Sequence, residues 1–186
     1  EDEKQLTDKE RQLLTQWIKS GAKYAKHWAY VLAKKHDTLN SIDDFIKADF
    51  PKGKTFAPAA DKRTLARRAA LTLTGLPPNQ QELNRFLNDT SSKAYETYLD
   101  QLLAKPTYGE HQARYWLDAI RYGDTHGLHL DNRRAIYPYR DWVIMAMNDN
   151  LPLNDFITWQ VAGDLLPNPS LEQQVATGFV RMNPTT

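Results

Sequence analysis

One spacing recurs along this chain, and it is the spacing that starts helices. Thr7-x-x-Glu10, Asn79-x-x-Glu82, Thr107-x-x-Glu110 and Ser170-x-x-Gln173 each set a short polar side chain three places before Glu or Gln. The short side chain accepts from the third backbone N–H, and the longer one reaches back to the N–H of the cap. Leu13, Leu14, Trp17 and Ile18 follow the first pair on one face, and Gly21 supplies a left-handed stop. Leu83, Phe86 and Leu87 follow the second, directly after the Pro77-Pro78 break. Leu65 to Leu73, Tyr95 to Leu103, Tyr139 to Met147 and Phe156 to Leu165 are amphipathic at the helical period, and Pro138 suits a first turn. Ser41-x-x-Asp44 with Ile42, Phe45 and Ile46 marks a further short helix. No stretch sustains an alternation of period two, and no Asn-Gly or Asp-Gly hairpin signal occurs.

The expected fold is therefore all-α. It is an irregular multi-helix domain with a long polar loop and an appended N-terminal helix. Residues 1–23 read as the end of one unit, 24–60 as a connector around Phe50-Pro51-Lys52-Gly53-Lys54, and 61–186 as the main domain of about seven helices. Its core is expected to hold Leu73, Leu83, Phe86, Leu99, Leu102, Trp116, Ile120, Trp142, Phe156 and Phe179.

Composition narrows the function. With 41% hydrophobic residues in 186, the chain can bury a core. Its 24 basic and 23 acidic residues nearly cancel, and no Lys/Arg stripe marks a nucleic-acid binder. No apolar run approaches the ~18–20 residues that cross a bilayer. Without cysteine there is no disulfide, no thiol nucleophile, no iron–sulfur ligation and no thioether to haem. The acidic opening EDEKQLTDKE lacks both an initiator Met and a signal-like apolar segment, so the chain is expected to be a piece of a longer protein.

Chemistry concentrates between Asp118 and Asp141. This stretch holds His126 and His129, the carboxylates Asp118, Asp124, Asp131 and Asp141, and the arginines Arg121, Arg133, Arg134 and Arg140. On a helical wheel, Ala113, Trp116, Leu117 and Ile120 share a core face, while His111, Tyr115, Asp118 and Tyr122 share the opposite one and lead into the loop. Asp124, His126, His129 and Asp131 offer two imidazoles and two carboxylates, a set that suits zinc, iron or manganese, and Gly127 would let them converge. The flanking Leu128 and Leu130 are expected to anchor the loop inward. Arg133, Arg134 and Arg140 can instead fork onto anionic groups, with Tyr137, Tyr139 and Trp142 offering faces to sugar rings. The same residues would also serve an Arg–Asp network that merely ties the loop to the next helix. A serine nucleophile is not indicated, because no Gly-x-Ser-x-Gly elbow is present and the serines sit at helix starts.

The run Arg121-Tyr122-Gly123-Asp124-Thr125-His126-Gly127-Leu128-His129-Leu130-Asp131 resembles a signature of the planctomycete-type cytochrome c-associated domain, a family of unknown function. Tyr139-Arg140-Asp141-Trp142-Val143-Ile144, Asn150 to Phe156, Gln160 to Pro167, Ala176 to Phe179 and Arg67 to Pro78 extend the likeness over nearly all of 61–186. Leu6-Thr7, Trp17 to Ala22 and His27 to Tyr30 are similar to the last helix and exit segment of the associated cytochrome c domain.

The resemblance implies an extracytoplasmic or periplasmic parent protein. Its partners would be a c-type haem domain upstream and a further domain after Thr186. It supplies no catalytic residues. The leading expectation is a domain of a cytochrome c-linked oxidoreductase acting on carbohydrate or polyol. His126, or His129, would act as base with Asp124 beside it. Arg134, Arg140, Tyr137 and Asp118 would hold the substrate. The rivals are a non-catalytic carbohydrate-binding or scaffolding module and a hydrolase dependent on a divalent metal.

Overall fold

The computed structural model describes residues 6–127 and 131–182. Its regular structure is helical, and among the described residues the β-structure is one isolated antiparallel bridge, Thr125 with Arg133. Contacts divide the chain into two compact units, 1–57 and 58–186.

The first unit carries α1 (Asp8–Lys19) and α2 (Ile42–Ala48). Both start with full capping boxes, Thr7 with Glu10 and Ser41 with Asp44, as their spacing predicts. After α1 the chain turns through Gly21 at φ +97°. Neither helix buries a residue, and Leu13, Leu14 and Ile18 leave the apolar side of α1 uncovered.

Among the described residues the second unit holds seven α-helices, in line with the about seven expected for residues 61–186. These are α3 (Lys62–Thr74), α4 (Gln80–Asn88), α5 (Ala94–Leu103), α6 (Pro106–Ala119), α7 (Tyr137–Asn148), α8 (Leu153–Ala162) and α9 (Leu171–Ala176). They enclose two apolar clusters. In the first, Phe86, Tyr98 and Leu102 pack on Ala66, Ala69 and Ala70, whose small side chains let α3 lie close to α5. The Tyr98 hydroxyl donates to Ala66 O at 3.1 Å across that contact. In the second, Tyr139, Trp142, Val143 and Phe156 meet Ala113 and Ala176. Trp142 stacks on Phe156 with ring centroids 5.2 Å apart. All ten expected core residues fall in these clusters or against them. Phe86, Leu102, Trp142 and Phe156 are buried, and the other six partly so.

Two expectations about α6 need correction. The helix starts at Pro106, one residue before Thr107, and Lys105 stands at its cap without a side-chain bond. Proline at the first helical position carries no N–H that needs an acceptor, so it displaces the Thr107 box. The orphan N–H of Gly109 is met from another helix, by Asn148 Oδ1 at 2.7 Å. Nor does the polar face run on into the loop. The helix ends at Ala119, Arg121 turns the chain at φ +60°, and Tyr122 swings back to pack on the second cluster.

Between α6, α7 and α8 lies a buried polar triad. Gln160 Oε1 accepts from Trp116 Nε1 at 2.9 Å and from the Tyr139 hydroxyl at 2.5 Å, while its amide nitrogen donates to Phe156 O at 2.7 Å. Burial pushes the Tyr139 phenol up to about 12, so it stays a donor across the ordinary pH range. A fully satisfied network of this kind specifies one register of three helices.

Candidate functional site

The loop between α6 and α7 is a narrow hairpin rather than an open coil. His126 N–H donates to Asn132 O at 3.0 Å and Arg134 N–H to Asp124 O at 2.7 Å, on either side of the Thr125–Arg133 bridge. Gly127 lies at φ +69° and Asp131 at φ +32°. Left-handed backbone is cheap for glycine and tolerable for aspartate, whose carboxylate can bond locally. Asp131 does so, accepting from Gly127 N–H at 2.9 Å. The Thr125 hydroxyl, the Gly127 amide and the charge of His126 hold the Asp131 carboxyl below its ordinary 3.8, in that order of weight. Two residues on one arm therefore meet Asp131 on the other.

A second group forms where the hairpin leaves α6. The Tyr122 hydroxyl donates to Asp124 Oδ1 at 2.7 Å. Burial first, then this bond and the Asp124 charge, push the Tyr122 phenol up to about 12. Arg140, on the first turn of α7, holds Asp141 in a paired contact from Nε at 2.9 Å and Nη2 at 2.7 Å. Asp141 raises the Arg140 guanidinium most, with Tyr122 and Asp124 close enough to add to it. Tyr122, Asp124, Arg140 and Asp141 are thus one electrostatic neighbourhood, and Asp124 and Asp141 are exposed. Tyr137 begins α7 and is half exposed.

Tyr137 aside, the expected site residues that are described divide among four places. Asp124 and Arg140 belong to the neighbourhood at the base of the hairpin, and His126 and Asp131 to the hairpin itself. Asp118 lies on the last turn of α6, exposed, and no described side chain bonds to its carboxylate. Arg134 is turned to the chain's last described turn. Its guanidinium donates to Met182 O at 3.2 Å and to Arg181 O, closing the carbonyl end of the 3-10 helix Thr177–Arg181. These bonds tie the loop to the last described turn. His129, Leu128 and Leu130 lie outside the described residues, and with them the four-ligand metal set and the leucine anchors. Among the described residues no group of three or more His, Asp or Glu is arranged to hold a metal. Sequence reading singled out neither the Tyr122 hydroxyl nor Thr125 as a partner of Asp124 or Asp131. Tyr122 stands two residues from Asp124, but Thr125 is six from Asp131, and only the pairing of the two arms brings them together.

A model of the PSCyt2 family, described as a protein of unknown function (DUF1549), matches residues 41–186. The chain belongs to this family. The match takes in α2 as well as the whole run from α3 to the last described turn, so the hairpin and both apolar clusters are parts of the PSCyt2 domain. No curated protein and no solved structure matches the chain. No helix of the described PSCyt2 chain is long and apolar enough to cross a membrane.

Proposed function

We propose that the hairpin surface of this domain recognises a carbohydrate or polyol, as the substrate-holding part of a larger, extracytoplasmic, cytochrome c-linked oxidoreductase. One observation carries the recognition half: Asp124, Arg140 and Asp141 form an exposed neighbourhood, with the Tyr122 hydroxyl fixing the Asp124 carboxylate. Fixed carboxylates accept from sugar hydroxyls, a guanidinium donates to their oxygens, and the half-exposed Tyr137 ring on the first turn of α7 offers a stacking face.

The redox half rests on the family resemblance. Haem would sit in another domain of the parent protein, since this chain has no cysteine for covalent attachment. That haem would supply electron acceptance. The residues here would bind and orient the carbinol. Of the two protons and two electrons its oxidation to a carbonyl releases, His126 would take up the hydroxyl proton, the other proton would go to solvent, and the electrons would pass one at a time to the haem.

The test has two arms. Amide shifts of the isotopically labelled chain, titrated with neutral and sulfated oligosaccharides and with polyols, should move at Asp124, Tyr137, Arg140 and Asp141, and Asp124→Asn should weaken them. A panel that moves none of these amides overturns recognition at this surface. In the full-length parent protein, haem reduction by the bound sugar should fall in His126→Gln. Binding without haem reduction would leave a carbohydrate-binding module and overturn the oxidoreductase half.

A further inference from the structure

At the far end of α7, away from the hairpin, lies a small cleft lined by Trp142, Met145, Asp149, Leu151, Trp159 and Glu172. Asp149 is eight residues beyond Asp141, about 12 Å along a helix that rises 1.5 Å per residue. We propose that this cleft binds an alkylammonium group, either a free amine or the side chain of a lysine on another protein.

Four features favour a cation here. Two indoles contribute to the walls, Trp142 buried with one face stacked on Phe156 and Trp159 partly exposed, and indoles attract ammonium more strongly than other aromatic rings do. Trp142 is held still by its stack on Phe156, so its ring needs no ordering when a ligand arrives. Asp149 and Glu172 are both exposed, and neither has an ion-pair partner among the described residues.

Asp149 caps the C-terminus of α7, whose last turn has no basic residue. The helix dipole disfavours an anion at that end, so the carboxylate adds to negative potential already present. Glu172 is not needed to cap α9, because Ser170 and Gln173 form that capping box. Nor does nearby sequence offer compensation. Between Arg140 and Arg181 there is no lysine, arginine or histidine, whereas Asp141, Asp149, Asp155, Asp164 and Glu172 are acidic.

Size sets the class of ligand. The cleft measures about 60 Å³. A space that admits one water measures ~10–15 Å³, so this one takes a group of about four to six heavy atoms. That is the end of an alkylammonium chain and less than a sugar ring. Met145 and Leu151 suit its methylenes, leaving the nitrogen to the indoles and carboxylates.

The test is a titration of the 186-residue chain with n-butylammonium chloride at constant ionic strength, reading the indole N–H resonances of Trp142 and Trp159. Nα-acetyl-lysine amide and n-butanol run beside it. Butylammonium should give a saturable shift that butanol does not, and Asp149→Asn with Glu172→Gln should weaken it roughly tenfold, as removal of charge from a cation–π site requires. Both positions are exposed, so the doubly substituted chain should melt as the parent does. If acetyl-lysine amide saturates the site as well, the ligand's source is a protein lysine. If only butylammonium binds, the source is a free amine. Absence of a saturable shift, an equal response to butanol, or unchanged binding after both substitutions would overturn the proposal.

Discussion

Gln160 shows how much one buried amide can decide. Its oxygen is the acceptor for the Tyr139 hydroxyl and shares the Trp116 indole N–H with it, so Gln160→Leu leaves the Tyr139 donor without an acceptor inside the core. An unsatisfied buried donor costs ~1–3 kcal/mol, and urea unfolding should show a loss in that range with the slope unchanged. An unaltered midpoint would mean that the triad adds nothing. Asp131 is a different kind of residue, exposed and local. Its carboxyl is depressed in the folded chain, so its bonds to Thr125 and Gly127 are present above the ordinary 3.8 and are lost as pH falls through the folded value. The Gly127 amide resonance should therefore titrate on the acid side of pH 3.8, and Asp131→Asn should abolish that step. A residue-level reading of the sequence named Asp131 as a metal ligand near the flexible Gly127, but not its bonds to Thr125 and Gly127. It could not reach Gln160, since an amide in an apolar helix resembles any solvated one until its neighbours are known.

At the scale of elements, caps were legible and helix partnerships were not. The Thr7, Ser41, Asn79 and Ser170 boxes form because each needs only four consecutive residues. The start of α6 depends instead on a side chain 39 residues away, Asn148, which accepts from Gly109 N–H and donates to Pro106 O at 3.2 Å. Asn148→Ala should cost ~1–2 kcal/mol, as loss of a helix cap does, with faster amide exchange at the first turn of α6 than elsewhere. Exchange that rises evenly through the second unit would show that Asn148 is no cap. The same distance problem hid the role of Arg134. Among Arg121, Arg133, Arg134 and Arg140 the sequence offers four equivalent charges, and only the approach of the last turn separates the one that closes carbonyls from the one beside Asp124.

At the scale of the molecule, the two units differ in what they bury. The first buries no described residue in its helices, whereas the second encloses both clusters. Limited trypsin treatment should cut first at exposed lysines such as Lys34, Lys35, Lys52 and Lys54, and should leave a resistant fragment that begins near Pro58. That fragment should melt at the temperature of the uncut chain's main transition. A fragment degraded as fast as it is released would mean that the second unit does not fold alone.

What the sequence determined by itself is the class of the fold and part of its core: Phe86, Leu102, Trp142 and Phe156 are buried as expected, whereas Tyr98, Tyr139 and Val143 are buried without having been expected there. Capping, helical period and the absence of alternation are local properties, and burial follows from them once each helix must hide one side. What only the tertiary structure decided is which polar residues meet. The group of Tyr122, Asp124, Arg140 and Asp141, the Trp116–Tyr139–Gln160 triad and the acidic, indole-lined cleft each join residues from separate segments of the chain. Hydrogen bonds and charges act over a few ångströms, and a chain order cannot state which segments come within that reach until the apolar faces have packed.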